Sequence, residues 1–189
     1  MKKNLILLLL LSSINSFSQY QKGTLFLRDN SKITGLIKIS NGFRLKFREN
    51  EKSKRTFFNY RKVKKVVFDD KTEYVYKIES QLVVLLKKEI SGKLELFSRQ
   101  RASAPTKNKM DDFLLGKGPF TEYFIADENS DFADKLPLNF KSKNYRKILS
   151  KHTLDCTDFQ NKIKDKKSIK SNFDFNISQM INYYNDNCN

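Results

Sequence analysis

The chain has 189 residues, with 37 Lys and Arg against 21 Asp and Glu and a formal net charge of +16. Apolar residues make up 39% and charged residues 31%, with 16 Phe, 8 Tyr and no Trp. These values leave room for a packed core, and they exclude collagen, a coiled coil, a multi-span membrane protein and a cysteine-rich miniprotein.

Lys2 and Lys3 form a short positive start, Leu5 to Leu11 is an unbroken apolar run, and Ser12 to Ser18 is small and polar. Ser16 and Ser18 stand at the −3 and −1 positions of a cleavage site before Gln19. This tripartite pattern is that of a secretory signal peptide over residues 1–18. The apolar run is too short for a membrane span, which needs about 20 residues. The expected address is the periplasm or outer membrane, with secretion as an alternative.

From Gln19 to Asp127 the pattern is strand-like. Thr24–Arg28 leads into the polar turn Asp29-Asn30-Ser31, and Ile33–Ile39 follows, interrupted by Gly35. An interior glycine points to a bulge or a sharp bend. Asn41-Gly42 is a strong hairpin signal, and Phe43–Arg48 alternates apolar and basic residues, which puts Phe43, Leu45 and Phe47 on one face. Further strands are expected at Thr56–Tyr60, Val63–Phe68, Glu73–Ile78, Leu82–Lys88, Lys93–Arg99 and Thr121–Ala126. Leu82–Leu86 is continuously apolar, as in a strand buried on both faces. Ser91-Gly92 reads as a turn, and Gln100 to Gly118 as a long loop.

The last fifty residues or so change period. Tyr145, Ile148, Leu149 and His152 share one helical face. Asp155 is placed to cap a second helix carrying Cys156, Phe159 and Ile163. Ile177, Ile181, Tyr184 and Cys188 line a third. The expected fold is α+β: a curled or partly closed antiparallel sheet of about seven to nine strands over 19–127. Two or three helices in 128–189 pack on it as part of one structural unit. Cys156 and Cys188 read as a disulfide, on compartment and because antiparallel packing of the last two helices would bring them to one end.

The leader ending Phe17-Ser18-Gln19, the strand-turn-strand over Leu82–Phe97, and the tail Tyr183-Tyr184-Asn185 with its final Cys188 carry a likeness. In these features the chain resembles a group of exported proteins of the Bacteroidota that have no established activity. The resemblance implies a periplasmic or surface location. It implies no activity and assigns no functional residues.

Signals for catalysis are sparse. His152 is the one histidine, and its place on an apolar helix face reads as a half-buried helix residue rather than a catalytic base. There is no G-x-S-x-G. One His and two paired Cys cannot make a zinc set. Asp127–Asp131 opens like a calcium loop, but Phe132 and Leu138 occupy the positions that need Gly and Glu. Gly116-Lys117-Gly118-Pro119 does not match a phosphate-binding loop. No metal, cofactor or catalytic residue is therefore assigned, and an enzyme is the less favoured reading.

Charge is the strongest nonrandom feature. Between Arg44 and Lys65 there are ten cations and only two acids, Glu49 and Glu51. Arg44, Lys46, Arg48, Arg61, Lys62 and Lys64 are the candidate binding residues of a basic sheet face. Its partners would be an anionic envelope glycan, lipid or membrane surface, or an envelope protein. Nucleic acid conflicts with export. The competing reading is compositional, since Lys outnumbers Arg 29 to 8 and exposed strands use Lys to resist aggregation. The expected function is a noncatalytic envelope protein that binds or scaffolds. The alternatives are an accessory subunit of an outer-membrane assembly and, less favoured, an envelope hydrolase.

Overall fold

A computed structural model describes residues 20–40, 44–101, 120–138, 142–164 and 177–188. The expected signal peptide, Asn41-Gly42, Phe43 and the Gly116–Pro119 segment lie outside the described residues. The chain divides into two compact units, one ending at Glu73 and the other beginning at Tyr74.

The first unit holds β1 (Gln21–Leu27), β2 (Lys32–Ser40), β3 (Arg44–Arg48), β4 (Thr56–Phe58) and β5 (Val63–Phe68). The spatial order is β5-β1-β2-β3-β4, and each of these neighbours pairs antiparallel. Because side chains alternate along a strand, register fixes the faces. Leu25 opposes Val66, Leu25 also opposes Ile33, and Ile39 opposes Leu45. Leu25, Ile37, Leu45 and Val66 are fully buried on this inner face.

Of the bulge or bend expected at Gly35, the bulge is absent. The β1–β2 register runs through Gly35 without a break and sets it opposite Gly23. The reason for glycine is close approach. A Cβ at Gly35 would stand 2.4 Å from the Arg48 carbonyl oxygen and 2.7 Å from the Phe47 ring. Without it, the Phe47 ring lies over the inner face and meets Phe58 edge-on at 5.8 Å. The register shift in β1 falls at Phe26/Leu27 instead.

The second unit holds β6 (Glu73–Glu79, which begins one residue before the division), β7 (Leu82–Ile90), β8 (Leu94–Arg101), β9 (Phe120–Asp127) and β10 (Asp134–Lys135). Their order is β10-β9-β8-β7-β6. Three helices follow: α1 (Lys143–His152), α2 (Thr157–Lys164) and α3 (Ile177–Asn187). The class is α+β, as expected, but the described strands number ten rather than seven to nine. The unforeseen strand is β10, two residues long and without any periodicity of its own. Gln100, expected in a loop, opposes Thr121 at the end of β8. In β7, Val84, Leu85 and Leu86 are buried in succession, as a strand covered on both faces must be, but Leu82 is 62% exposed. Among the described residues, no register in either unit closes its strands into a ring, although an isolated parallel bridge joins Ile78 of β6 to Phe132, just before β10.

The helices cover one face of the second unit's sheet. Leu94, Leu96 and Ile125 pack with Tyr145, Leu149, Phe159, Ile163, Ile181 and Tyr184. Ser142 caps α1 by accepting the Tyr145 N–H at 3.0 Å. Cys156, just before α2, and Cys188, just after α3, form a disulfide with Cα atoms 5.5 Å apart. Asp155, expected to cap α2, is directed elsewhere: it accepts the Tyr184 hydroxyl at 2.7 Å and pairs with Lys93 at 2.5 Å.

Candidate functional site: a basic outer face

The three neighbouring strands β1, β2 and β3 contain six cations and no acid: Lys22, Lys32, Lys38, Arg44, Lys46 and Arg48. Register puts all six on one face. Lys22 opposes Leu36, which opposes Arg48; Lys38 opposes Lys46; Ser40 opposes Arg44; and Lys32 opposes Phe26. This is the face opposite the buried Leu25, Ile37 and Leu45. Lys22, Lys32 and Arg44 are exposed, and Lys38, Lys46 and Arg48 are half-buried. Thr24 and Thr34 hydrogen-bond across the middle of the face at 2.9 Å.

Aromatic rings lie among the cations. Lys32 and Lys65 each stand 5.1 Å from the centre of the Phe26 ring, and Lys65 also pairs with Glu73 at 2.9 Å. Arg48 lies over Tyr20 at 4.9 Å. Phe57 opposes Lys46, so it belongs to the same outer face. Such contacts hold long cationic side chains over apolar surface while their heads stay hydrated.

The register places three of the six candidates from sequence on this face. Arg44, Lys46 and Arg48 share the outer face of β3. Arg61 and Lys62 lie in the turn between β4 and β5, and Lys64 is exposed on β5. Lys22, Lys32 and Lys38 were missed because they are sparse, one on β1 and two at opposite ends of β2, in mostly apolar or neutral strands. The available signal was their period-two spacing from the apolar residues, and only the pairing register aligns them with Arg44–Arg48.

The second unit holds charges of another kind. Glu122, 1% exposed, accepts from Arg99 at 2.8 and 2.6 Å, from Arg101 at 3.1 Å and from Lys135. Burial pushes its carboxyl pKa up, but the hydrogen bonds from Lys135 and Arg99 outweigh that and hold it below the ordinary value. Glu95 pairs with Lys77 at 3.3 Å and Lys88 at 2.5 Å. Burial lowers the Lys77 pKa against the opposing pull of Glu95. These are buried carboxylates already satisfied by cations, as structural networks are.

His152 ends α1 between two carboxylates. Its Nδ1 lies 2.7 Å from Asp127 and its Nε2 2.8 Å from Asp134. Burial raises the Asp134 pKa, but hydrogen bonds from Lys151 and His152 hold it below the ordinary value. A catalytic base needs one ring nitrogen turned to a nucleophile. Here both face acceptors, so the residue ties α1 to β9 and β10. Asp127–Asp131 forms a turn, closed by the Ser130 N–H on the Asp127 carbonyl at 3.0 Å. Among the described residues, no group of three His, Cys, Asp or Glu is arranged to hold a metal ion, and no helix is long and apolar enough to cross a membrane.

Comparison with family models, curated proteins and solved structures finds no match to this chain.

Proposed function

We propose that this is an exported, noncatalytic protein of the cell envelope that binds an anionic partner, an envelope polymer or membrane surface, through the outer face of its first unit. The observation that carries the reading is the gathering of six cations from three acid-free strands on one sheet face. The leader pattern at residues 1–18 and the likeness to exported Bacteroidota proteins support the location, and the Cys156–Cys188 bond fits an oxidising compartment.

We also read the first unit's sheet as curled. Only residues 59–62 link β4 to β5, and they include a turn in which Asn59 accepts the Val63 N–H at 3.0 Å. Those strands end the spatial order on opposite sides. In a flat sheet they would stand about 19 Å apart, more than five residue steps of roughly 3.5 Å can span. Curling turns the apolar face inward and the six cations outward, on a convex surface.

The test is binding of the chain from Gln19 to Asn189 to anionic envelope polymers and lipids at two salt concentrations. Binding that falls steeply with salt and with Arg44, Lys46 and Arg48 replaced by Gln supports the reading. Silence across the panel at low salt overturns it. The second reading, an accessory subunit of an outer-membrane assembly, is favoured by the exposed Phe132, Leu138 and Leu154, which are 66%, 53% and 76% accessible. It predicts a stoichiometric partner lost when all three become Ser.

A further inference from the structure

Charge complementarity limits the occupant of the outer face to an anion, and the aromatic residues beside it narrow the class. Phe57 and Tyr60 are 52% and 37% exposed. Each carries a guanidinium over its ring: Arg55 lies 5.3 Å from Phe57 and Arg61 lies 6.0 Å from Tyr60. Both rings sit on ordered backbone. Phe57 is in β4, opposite Lys46. The Tyr60 carbonyl accepts from the Arg28 side chain at 2.7 Å, and Asn59 accepts the Arg61 N–H at 3.0 Å.

A linear polyanion is best held by a row of cations in a groove. Here the cations cover three strands of an outer sheet face, a two-dimensional array that matches a surface. A phenyl ring presented beside such an array gains apolar burial at a bilayer. Arginine on aromatic rings is chemistry suited to the headgroup layer, where ring and cation each find their medium.

We propose that the partner of this face is the surface of an anionic lipid bilayer, with the array of Lys and Arg on headgroup phosphates and Phe57 seated at headgroup level. This rests on the basic-face reading above and specifies its partner. Each cation near an anionic surface contributes about a fivefold gain in partitioning, so replacing Arg44, Lys46 and Arg48 with Gln weakens it on the order of a hundredfold. Phe57→Ser weakens it roughly tenfold by lost apolar burial.

The chain has no Trp, so Phe57→Trp gives one fluorescent reporter on the face. The chain from Gln19 is used, because Leu5–Leu11 would itself enter lipid. It is titrated with phosphatidylglycerol vesicles, phosphatidylcholine vesicles and soluble polyphosphate at low and high salt. The expected result is salt-sensitive binding to phosphatidylglycerol vesicles with a blue-shifted Trp emission, and little binding to phosphatidylcholine. Binding to polyphosphate and vesicles alike with no emission shift overturns the bilayer assignment and leaves the basic-face reading standing. Binding to neither at low salt overturns both. A Lys22→Gln, Lys32→Gln variant is the parallel test should the β3 triple variant fail to fold.

Discussion

Lys38 and Lys46 stand directly opposite each other across the β2–β3 pair, two like charges in one cross-strand position. Like charges so placed destabilise a sheet, by roughly 0.2–1 kcal/mol on the scale of cross-strand pairs. A bound anion would turn the repulsion into shared attraction. Lys46→Thr is therefore expected to raise the thermal midpoint slightly at low salt, with the gain shrinking as salt is added. The same variant should bind polyanions more weakly. Opposite signs in a melting curve and a binding isotherm are the mark of a charge kept for its ligand. A fall in both would identify Lys46 as structural.

The disulfide joins the start of α2 to the end of α3, across a sequence separation of 32 residues. Loop-closure entropy assigns such a crosslink about 3.5–4 kcal/mol. Cys156→Ser is expected to lower the denaturant midpoint accordingly under oxidising conditions. Under reducing conditions the variant and the parent should converge. A variant as stable as the oxidised parent would refute the contribution.

Glu122 is a buried carboxylate on which three cations converge, Arg99 largely buried and Arg101 and Lys135 partly in solvent. Glu122→Gln removes their counter-charge and is expected to cost about 1.5–3 kcal/mol at neutral pH, the range for hydrogen bonds to a charged group. The pH dependence has a definite sign. The folded-state pKa of Glu122 lies below its unfolded value, so its stabilisation is present above the unfolded pKa and lost as pH falls through the folded one. The gap between parent and variant should narrow on acidification below about pH 4.5, near the ordinary glutamate pKa. Denaturant titrations at pH 7 and pH 3.5 read this directly; a constant gap would contradict it.

Asn185 of α3 acts as a strand partner for Leu94. Its Oδ1 accepts the Leu94 N–H and its Nδ2 donates to the Leu94 carbonyl, both at 2.9 Å. The amide fits because residue 92 is glycine with φ +151, and a Cβ there would stand 2.5 Å from the Asn185 side chain. Asn185→Ala is expected to cost about 1–3 kcal/mol by leaving the Leu94 groups unpaired. Gly92→Ala should destabilise through both strain and displacement of that amide. The two effects should be less than additive in the double variant. Full additivity would show that Gly92 and Asn185 act independently.

Much of the fold was legible because periodicity is local. The strands β1 to β9 and all three helices announce themselves through spacings of two or 3.6 residues. Asp134–Lys135 does not, since two residues carry no period; that strand exists because Asp134 opposes Ile125 and Lys135 opposes Phe124. The close approach that demands glycine at position 35 was hidden for a related reason: its neighbours Phe47 and Arg48 lie on another strand. The basic face was half legible. Arg44, Lys46 and Arg48 form a local alternation, whereas Lys22, Lys32 and Lys38 join them only through the β1–β2–β3 register. Arg61 and Lys62 lie in the turn after β4 and Lys64 on β5, where no β1–β2–β3 register fixes their face. The anchoring of His152 by Asp127 and Asp134 was not legible at all, because it depends on where α1 comes to rest.

On the proposed reading, position on the outer face of the first unit, and not net charge, creates anion binding. Two variants of equal net charge decide it. One replaces Arg44, Lys46 and Arg48 with Gln; the other replaces Lys143, Lys147 and Lys164, exposed cations of the helical segment, with Gln. Binding to phosphatidylglycerol vesicles and to polyphosphate is measured at low salt. The first variant is expected to lose binding on the order of a hundredfold while the second stays within a fewfold of the parent. Equal losses in both would contradict it and mark the basic face as a product of composition.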